Sequence, residues 1–255
     1  MPSCSAFSIP PCKLEAKTVH AVTLDVLVHT VTLDIAGSEY TPKDVLNVVL
    51  VAAAKGTTIQ QAAKELKTAP HPNTVRYHTE KFEIDTLETE LNNGLVQNLP
   101  KRMRRGKGNW NIALDITLIP YYGKDDPESD FIVRGEAKAG TTRFFGYISA
   151  YVCHKNTRYT LLVSSVRKSQ GLVDTLRKVL NQLRVINIRI KRLYLDRGFY
   201  TVTVIQYLQA EKLSFIMPVV KRGKSGGIRK LLTGTKSYQT TYTLTRVAEG
   251  CKEQV

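Results

Sequence analysis

The sequence predicts an α/β protein, a mixed sheet with flanking helices preceded by a small helical region. Three observations carry this. Residues 41–99 repeat their apolar positions at helical spacing, from Trp110 onward the period shortens to that of strands, and after residue 170 helical and strand patterns alternate.

Residues 1–40 form an N-terminal segment in this reading. Thr41-Pro42 supplies an N-cap and a proline at the first helical position, Val45, Leu46, Val49 and Leu50 follow at helical spacing, and Gly56 ends the helix. Thr57-Thr58 then caps a short helix running through Ile59-Gln60-Gln61-Ala62-Ala63-Lys64-Glu65-Leu66, whose small residues allow close helix contact. Past the Pro70-His71-Pro72 break another helix starts at Asn73-Thr74-Val75-Arg76. A short helix with Ala-Ala, a turn, and a helix opening on polar and basic residues match the helix-turn-helix pattern, with plain three-helix packing as the alternative. Arg76 would then contact a base or a phosphate. The run Lys101-Arg102-Met103-Arg104-Arg105-Gly106-Lys107 closes this region, 41–108, either as a solvated linker or as phosphate contacts through Lys101, Arg102, Arg104 and Arg105.

From residue 109 the strands begin. Ile112–Ile119 reads as a strand, Lys124–Asp130 as a loop, and Phe144–Cys153 with Tyr159–Val166 as a hairpin turning at His154-Lys155-Asn156-Thr157. Residues 171–184 place Leu172, Leu176, Val179, Leu180 and Leu183 on one helical face. Ile190–Asp196 is the next strand, Thr201–Lys212 the next helix, and Ser214–Val220 a last strand. Three antiparallel strands followed by alternating helices and strands describe a ribonuclease H-like domain over residues 109–220. Beyond it lie a basic loop, Lys221-Arg222-Gly223-Lys224-Ser225-Gly226-Gly227, and a weakly alternating stretch from Tyr238 to Leu244. The loop lacks the spacing of a phosphate-binding P-loop.

Charge bounds the function. The chain carries 37 Lys plus Arg against 22 Asp plus Glu, a net +15, which favours a polyanionic partner and above all nucleic acid. No apolar run reaches the length of about 18 residues that a membrane helix needs, and the N-terminus has no signal-peptide pattern. A cytoplasmic protein with no membrane partner is expected. Cys4, Cys12, Cys153 and Cys251 are scattered without zinc spacing and read as ordinary thiols.

Two acids stand out. In Leu-Tyr-Leu-Asp-Arg-Gly-Phe-Tyr, residues 193–200, an apolar strand stops at Asp196 and turns through Arg197 and Gly198. Asp196 either caps the turn or binds a ligand, and Gly198 would give the chain freedom to swing into the next helix. Asp115 sits inside the first strand, which neighbours the strand of Asp196 in a sheet of this kind. Two adjacent carboxylates repel unless a cation holds them, and hard oxygen ligands suit Mg²⁺ or Mn²⁺. Taken alone, Asp115 could instead pair with a buried Lys or Arg. Glu136, beside Arg134, reads as part of a salt-bridged loop rather than of the site.

Leu114-Asp115-Ile116-Thr117 with Pro120-Tyr121-Tyr122-Gly123, Val133-Arg134-Gly135-Glu136, and Leu195-Asp196-Arg197-Gly198-Phe199-Tyr200 resemble the DDE transposases of bacterial and archaeal insertion sequences. The resemblance extends over roughly residues 40–246. It implies a ribonuclease H-like catalytic domain, a helical DNA-binding region before it, and two divalent metals, Mg²⁺ or Mn²⁺. It further implies cleavage and transfer of double-stranded DNA at terminal inverted repeats, a homodimer on two DNA ends, and a location on the nucleoid. Asp115 and Asp196 fall on the first two acids of the catalytic triad. The third acid of the family is a Glu on a later helix, often beyond a β-rich insertion. Only Glu211, Glu249 and Glu253 follow Asp196 here, none in that setting. The expectation is therefore that residues 221–255 begin the insertion and that the chain ends inside it. A catalytically dead, truncated transposase that only binds DNA is the alternative, and a resolvase or nuclease with a different third acid is another.

Overall fold

The computed structural model describes residues 15–254 apart from 125, 155–156, 222–226, 233 and 249–250. Cys4, Cys12, the Lys155-Asn156 turn, the centre of the basic loop and Glu249 lie outside the described residues. The chain divides after Gly94 into two compact units.

The first unit is helical: α1 (Ala16–Thr30), α2 (Pro42–Lys55), α3 (Ile59–Glu65), α4 (Pro72–Thr79) and most of α5 (Ile84–Gln97). Helix α1 lies inside the stretch read as a plain N-terminal segment. Its apolar residues Leu24, Leu27 and Val28 recur at helical spacing and pack with Val45, Leu46, Val48, Ala62 and Val75 in one core. Helix α2 begins at a reciprocal cap. The Thr41 hydroxyl accepts the Asp44 N–H, and the Asp44 carboxylate accepts the Thr41 N–H at 2.8 Å, so two orphan donors are satisfied together. Gly56 ends α2 in the left-handed region, φ 59°, where a side chain would strain the backbone. Helices α3 and α4 both pack on α2 and on each other.

The second unit holds the sheet. After the end of α5 come α6 (Lys101–Arg104), β1 (Asn109–Pro120), β2 (Ile132–Lys138), β3 (Thr141–His154), β4 (Thr157–Ser165), α7 (Leu172–Val185), β5 (Arg189–Leu195), a 3-10 turn (Arg197–Phe199), α8 (Val202–Ala210) and β6 (Phe215–Ile216). Strand β3 lies antiparallel between β4 and β1, while β5 runs parallel to β1 and β6 parallel to β5. The order β4-β3-β1-β5-β6 is that of a ribonuclease H-like sheet, with β2 joined to the other end of β3. Trp110, Ile112 and Leu114 of β1, Ile148, Ala150 and Val152 of β3, and Leu193 and Leu195 of β5 share one core with Leu176, Val179, Leu180 and Leu183 of α7 and Val204 and Leu208 of α8. Because side chains alternate along a strand, Asn111, Ala113 and Asp115 point to the opposite face.

Three segments differ from the sequence expectation. Val133-Arg134-Gly135-Glu136 lies in a strand, β2, whose pattern is broken by Gly135. A Cβ there would come 3.2 Å from the Phe144 ring, a tight approach that glycine avoids. Strand β6 stops at Ile216 rather than Val220, because Pro218 has no N–H to extend the ladder. Residues 238–244 form no strand; a two-stranded sheet instead pairs β7 (Thr245–Ala248) with β8 (Cys251–Gln254). Among the described residues no helix is long and apolar enough to cross a membrane.

Thr41→Ala should cost about 1 kcal/mol through the lost cap, and Leu193→Ala about 2–5 kcal/mol through the cavity it leaves, both read by urea denaturation. Asp130 supplies a pH test. Its carboxylate accepts the Ser169 hydroxyl and N–H, each at 2.7 Å, and these bonds, helped by Arg167 and Lys168, hold it below the usual carboxylate range. A depressed folded value stabilises above the unfolded value of about 3.9 and is lost as pH falls through the folded one. Wild type should therefore exceed Asp130→Asn in thermal stability at neutral pH, with the gap closing only in that acid window.

Candidate active site

Strands β1 and β5 bring the two acids together. Their parallel register pairs Ala113 with Tyr194 and Leu114 with Leu195, so the next residue along each chain is Asp115 on β1 and Asp196 just past the end of β5. Neighbouring strands lie about 4.8 Å apart. Leu114 and Leu195 are buried on the core face, which turns both acids to the other face; Asp115 is half-buried and Asp196 exposed. On the far side of Asp115, Ser149 of β3 is its ladder partner. Ser149, Asp115 and Asp196 thus form a row across three strands. No local sequence signal marks Ser149, since only the β1–β3 register brings it there.

The 3-10 turn holds the Asp196 side chain in place. Asp196 Oδ1 accepts the Gly198 N–H at 2.8 Å, capping the turn, and Phe199 one residue on is fully buried in the core. Thr201 then caps α8 by accepting the Val204 N–H. Gly198 does not adopt a left-handed conformation, so its value is not the freedom to swing. A Cβ at this position would lie 3.1 Å from Asp196 Oδ1, and glycine leaves that space to the carboxylate.

Neither Asp115 nor Asp196 has an ion-pair partner among the described residues. Two adjacent anionic groups without a neutralising side chain make a set of hard oxygen donors that fits a small divalent cation, which takes one or two carboxylates and fills its remaining positions with water or substrate. Among the described residues no group of three or more His, Cys, Asp or Glu side chains comes together. Glu136 is exposed on β2, which pairs with β3 near Arg143, six residues along the strand from Ser149 and so about 20 Å away. The Glu211 carboxylate is bound to Arg184. Glu253 is on β8, opposite Arg246.

The basic residues lie elsewhere. Arg76 is exposed on α4 and donates to Asn73 Oδ1 at 3.1 Å. Lys101, Arg102 and Arg104 form α6 around the buried Met103, and Arg105 follows as its C-cap. They precede the start of β1, at the opposite end of the sheet from the acids, and Arg102 stacks 5.7 Å from the centre of the Trp110 ring.

The sequence profile of the family described as Transposase DDE domain matches residues 107–249, more than half of the chain. The chain belongs to that family. No curated protein sequence matches it. Among solved structures, the piggyBac transposase synaptic complex with hairpin DNA is 12% identical with a TM-score of 0.44, covering 89% of this chain and 52% of that one. The Drosophila P element transposase strand transfer complex is 13% identical with a TM-score of 0.39, covering 71% and 41%. The Mos1 transposase paired-end complex with the left transposon end is 13% identical with a TM-score of 0.25, covering 82% and 69%. This chain thus spans about half the length of the first two, and its fold assignment rests on the sheet order itself. DDE transposases generally use divalent metals, and the Asp115–Asp196 pair is a set of oxygen donors that could hold one.

Asp196→Asn keeps an oxygen for the Gly198 N–H and should unfold with wild-type stability, whereas Asp196→Ala should lose about 0.5–2 kcal/mol with the cap. Equal destabilisation by both in thermal melts would show that the carboxylate is not held through this bond.

Proposed function

We propose that this DDE-domain chain works on DNA as an insertion-sequence transposase, cutting and joining strands at the terminal inverted repeats of its element, with Asp115 and Asp196 as the metal-holding acids. The observation that carries this reading is the pairing of Leu114 with Leu195 inside the matched domain, which sets the two acids side by side on the open face. A bound Mg²⁺ or Mn²⁺ would supply the positive charge that lowers the pKa of a water or a 3′-hydroxyl and stabilises the leaving oxygen. The protein's part is positional. The ladder holds the Asp115 backbone between β3 and β5, and the Gly198 N–H orients one oxygen of Asp196 and leaves the other for the cation. Residues 41–108 serve as the DNA-binding region, with Arg76 on the second helix of the helix-turn-helix pair, 109–220 as the catalytic domain, and 221–255 as the start of a β-rich insertion, which the β7–β8 pair supports. A homodimer on two DNA ends, at the nucleoid, completes the reading.

A second reading is a chain that occupies DNA without cutting it; among the described residues no third acid joins the pair. Incubation with Mg²⁺ or Mn²⁺ and duplex DNA carrying an element end separates the two. Active transposition chemistry gives metal-dependent nicks that Asp115→Asn and Asp196→Asn each reduce to background while gel-shift affinity is retained. Binding without nicking selects the second reading, and no affinity at moderate salt removes both.

A further inference from the structure

The end of the sheet opposite the acid pair carries two clefts, lined by successive residues of β5. The larger, about 530 Å³, is lined by Arg105, Gly106, Arg184, Asn187, Arg189 and Leu213. The smaller, about 260 Å³, is lined by Arg102, Gly108, Trp110, His154 and Lys191 among others. Both are walled by the turn after α6 and by the beginning of β5. From Arg189 to Leu195, β5 rises by about 20 Å, so the clefts are well removed from Asp196.

Local structure aims cations into them. In the β1–β5 ladder Trp110 faces Ile190 and Asn111 faces Arg192, so Lys191 is an extra, bulged residue. A bulge re-aims the side chain it carries, and Lys191 lines the smaller cleft while Arg189, two residues earlier, lines the larger. Gly106 turns in the left-handed region, φ 64°, against the Asn187 carbonyl, 3.1 Å from where a Cβ would be, which draws the basic turn close to the start of β5. Arg184 is neutralised by Glu211. Arg105, Arg189 and Lys191 have no acidic partner among the described residues.

A second observation marks the same place. Trp110 is only 8% exposed, and its Nε1 is buried without a hydrogen-bond partner among the described residues. An unsatisfied buried donor costs about 1–3 kcal/mol. Here it sits on a residue that lines a cationic cleft, beside Arg102 and edge-on to His154.

We infer that the two clefts form one track for the phosphate backbone of a nucleic acid, gripped by Arg105, Arg189 and Lys191 and distinct from the acid pair. The track crosses from β5 to β3, about 10 Å of sheet width, which suits a run of phosphates better than a single small anion. Its cations meet phosphate oxygens without reading bases, so they contribute salt-dependent and sequence-independent affinity. The inference rests on the reading that the chain binds DNA, and not on cleavage.

Trp110 is the only tryptophan of the chain and reports on the track directly. The full chain is titrated with a fluorescein-labelled duplex of arbitrary sequence over a range of salt, following label anisotropy and Trp110 emission together. Emission should change over the concentration range in which anisotropy rises. The combined Arg105→Gln, Arg189→Gln and Lys191→Gln variant should lower the slope of log affinity against log salt by about 3, near one per lost cation. Arg105→Lys, Arg189→Lys and Lys191→Arg together should restore it. Binding that leaves Trp110 emission unchanged overturns the track, as does an unaltered slope in the neutralised variant. If that variant does not fold, the wild-type emission decides alone. A wild-type chain that does not bind DNA overturns the DNA reading itself, which is a different failure.

Discussion

Parallel pairing of β1 with β5 is the constraint on which the rest of the catalytic unit depends. These strands are remote in sequence, and a parallel pair needs a long crossover. The intervening β2–β3–β4 and α7 provide it, and α7 returns over the sheet with Leu176, Val179, Leu180 and Leu183 packed into the shared core. Burial of Leu114 and Leu195 on that face fixes the register, since a slip of one residue would exchange the two faces. The same register that buries two leucines turns two aspartates to the opposite face. Core packing and the candidate site are therefore one arrangement seen from opposite sides of the sheet.

Charge is distributed along the strands accordingly. Acids collect where β5 ends, and cations collect where it begins, in α6 and in the bulge at Lys191. The distance of about 20 Å along β5 keeps the cations of α6 and of the bulge from pairing with the two carboxylates. The Glu211–Arg184 pair fits the same separation, since it commits the one acid of the α8 end to an arginine rather than to the Asp115–Asp196 pair.

Helices α2, α3 and α8 each start at a threonine cap, whereas α7 starts at Gly171 with no side-chain cap. Thr41 and Asp44 satisfy each other at α2, Thr58 accepts the Gln61 N–H at α3, and Thr201 accepts the Val204 N–H at α8. Asp196 belongs to this series, because it caps the 3-10 turn with one oxygen while its strand presents it on the open face. Geometry shows the cap, which engages one carboxylate oxygen of Asp196. Glycine at 198 is what lets the carboxylate sit that close to the backbone.

The elements set by local chemistry were legible in the sequence. The Thr41-Pro42 start, the Gly56 stop, the amphipathic α7, the β3–β4 hairpin and the Asp196 turn all depend on residues a few positions apart, and the strand and helix order followed from them. Helix α1 carried the same kind of signal in Leu24, Leu27 and Val28, but its surrounding residues are weakly patterned. Strand β2 was hidden because Gly135 answers to the Phe144 ring, a neighbour on another strand. Ser149 beside Asp115, the distance of Glu136 from the acids, and the meeting of Arg105 with Arg189 at one end of the sheet came only from the tertiary structure. Periodicity reports which face a residue takes within its own element, whereas the partner across a ladder is chosen by register and crossover, which no short stretch of sequence contains.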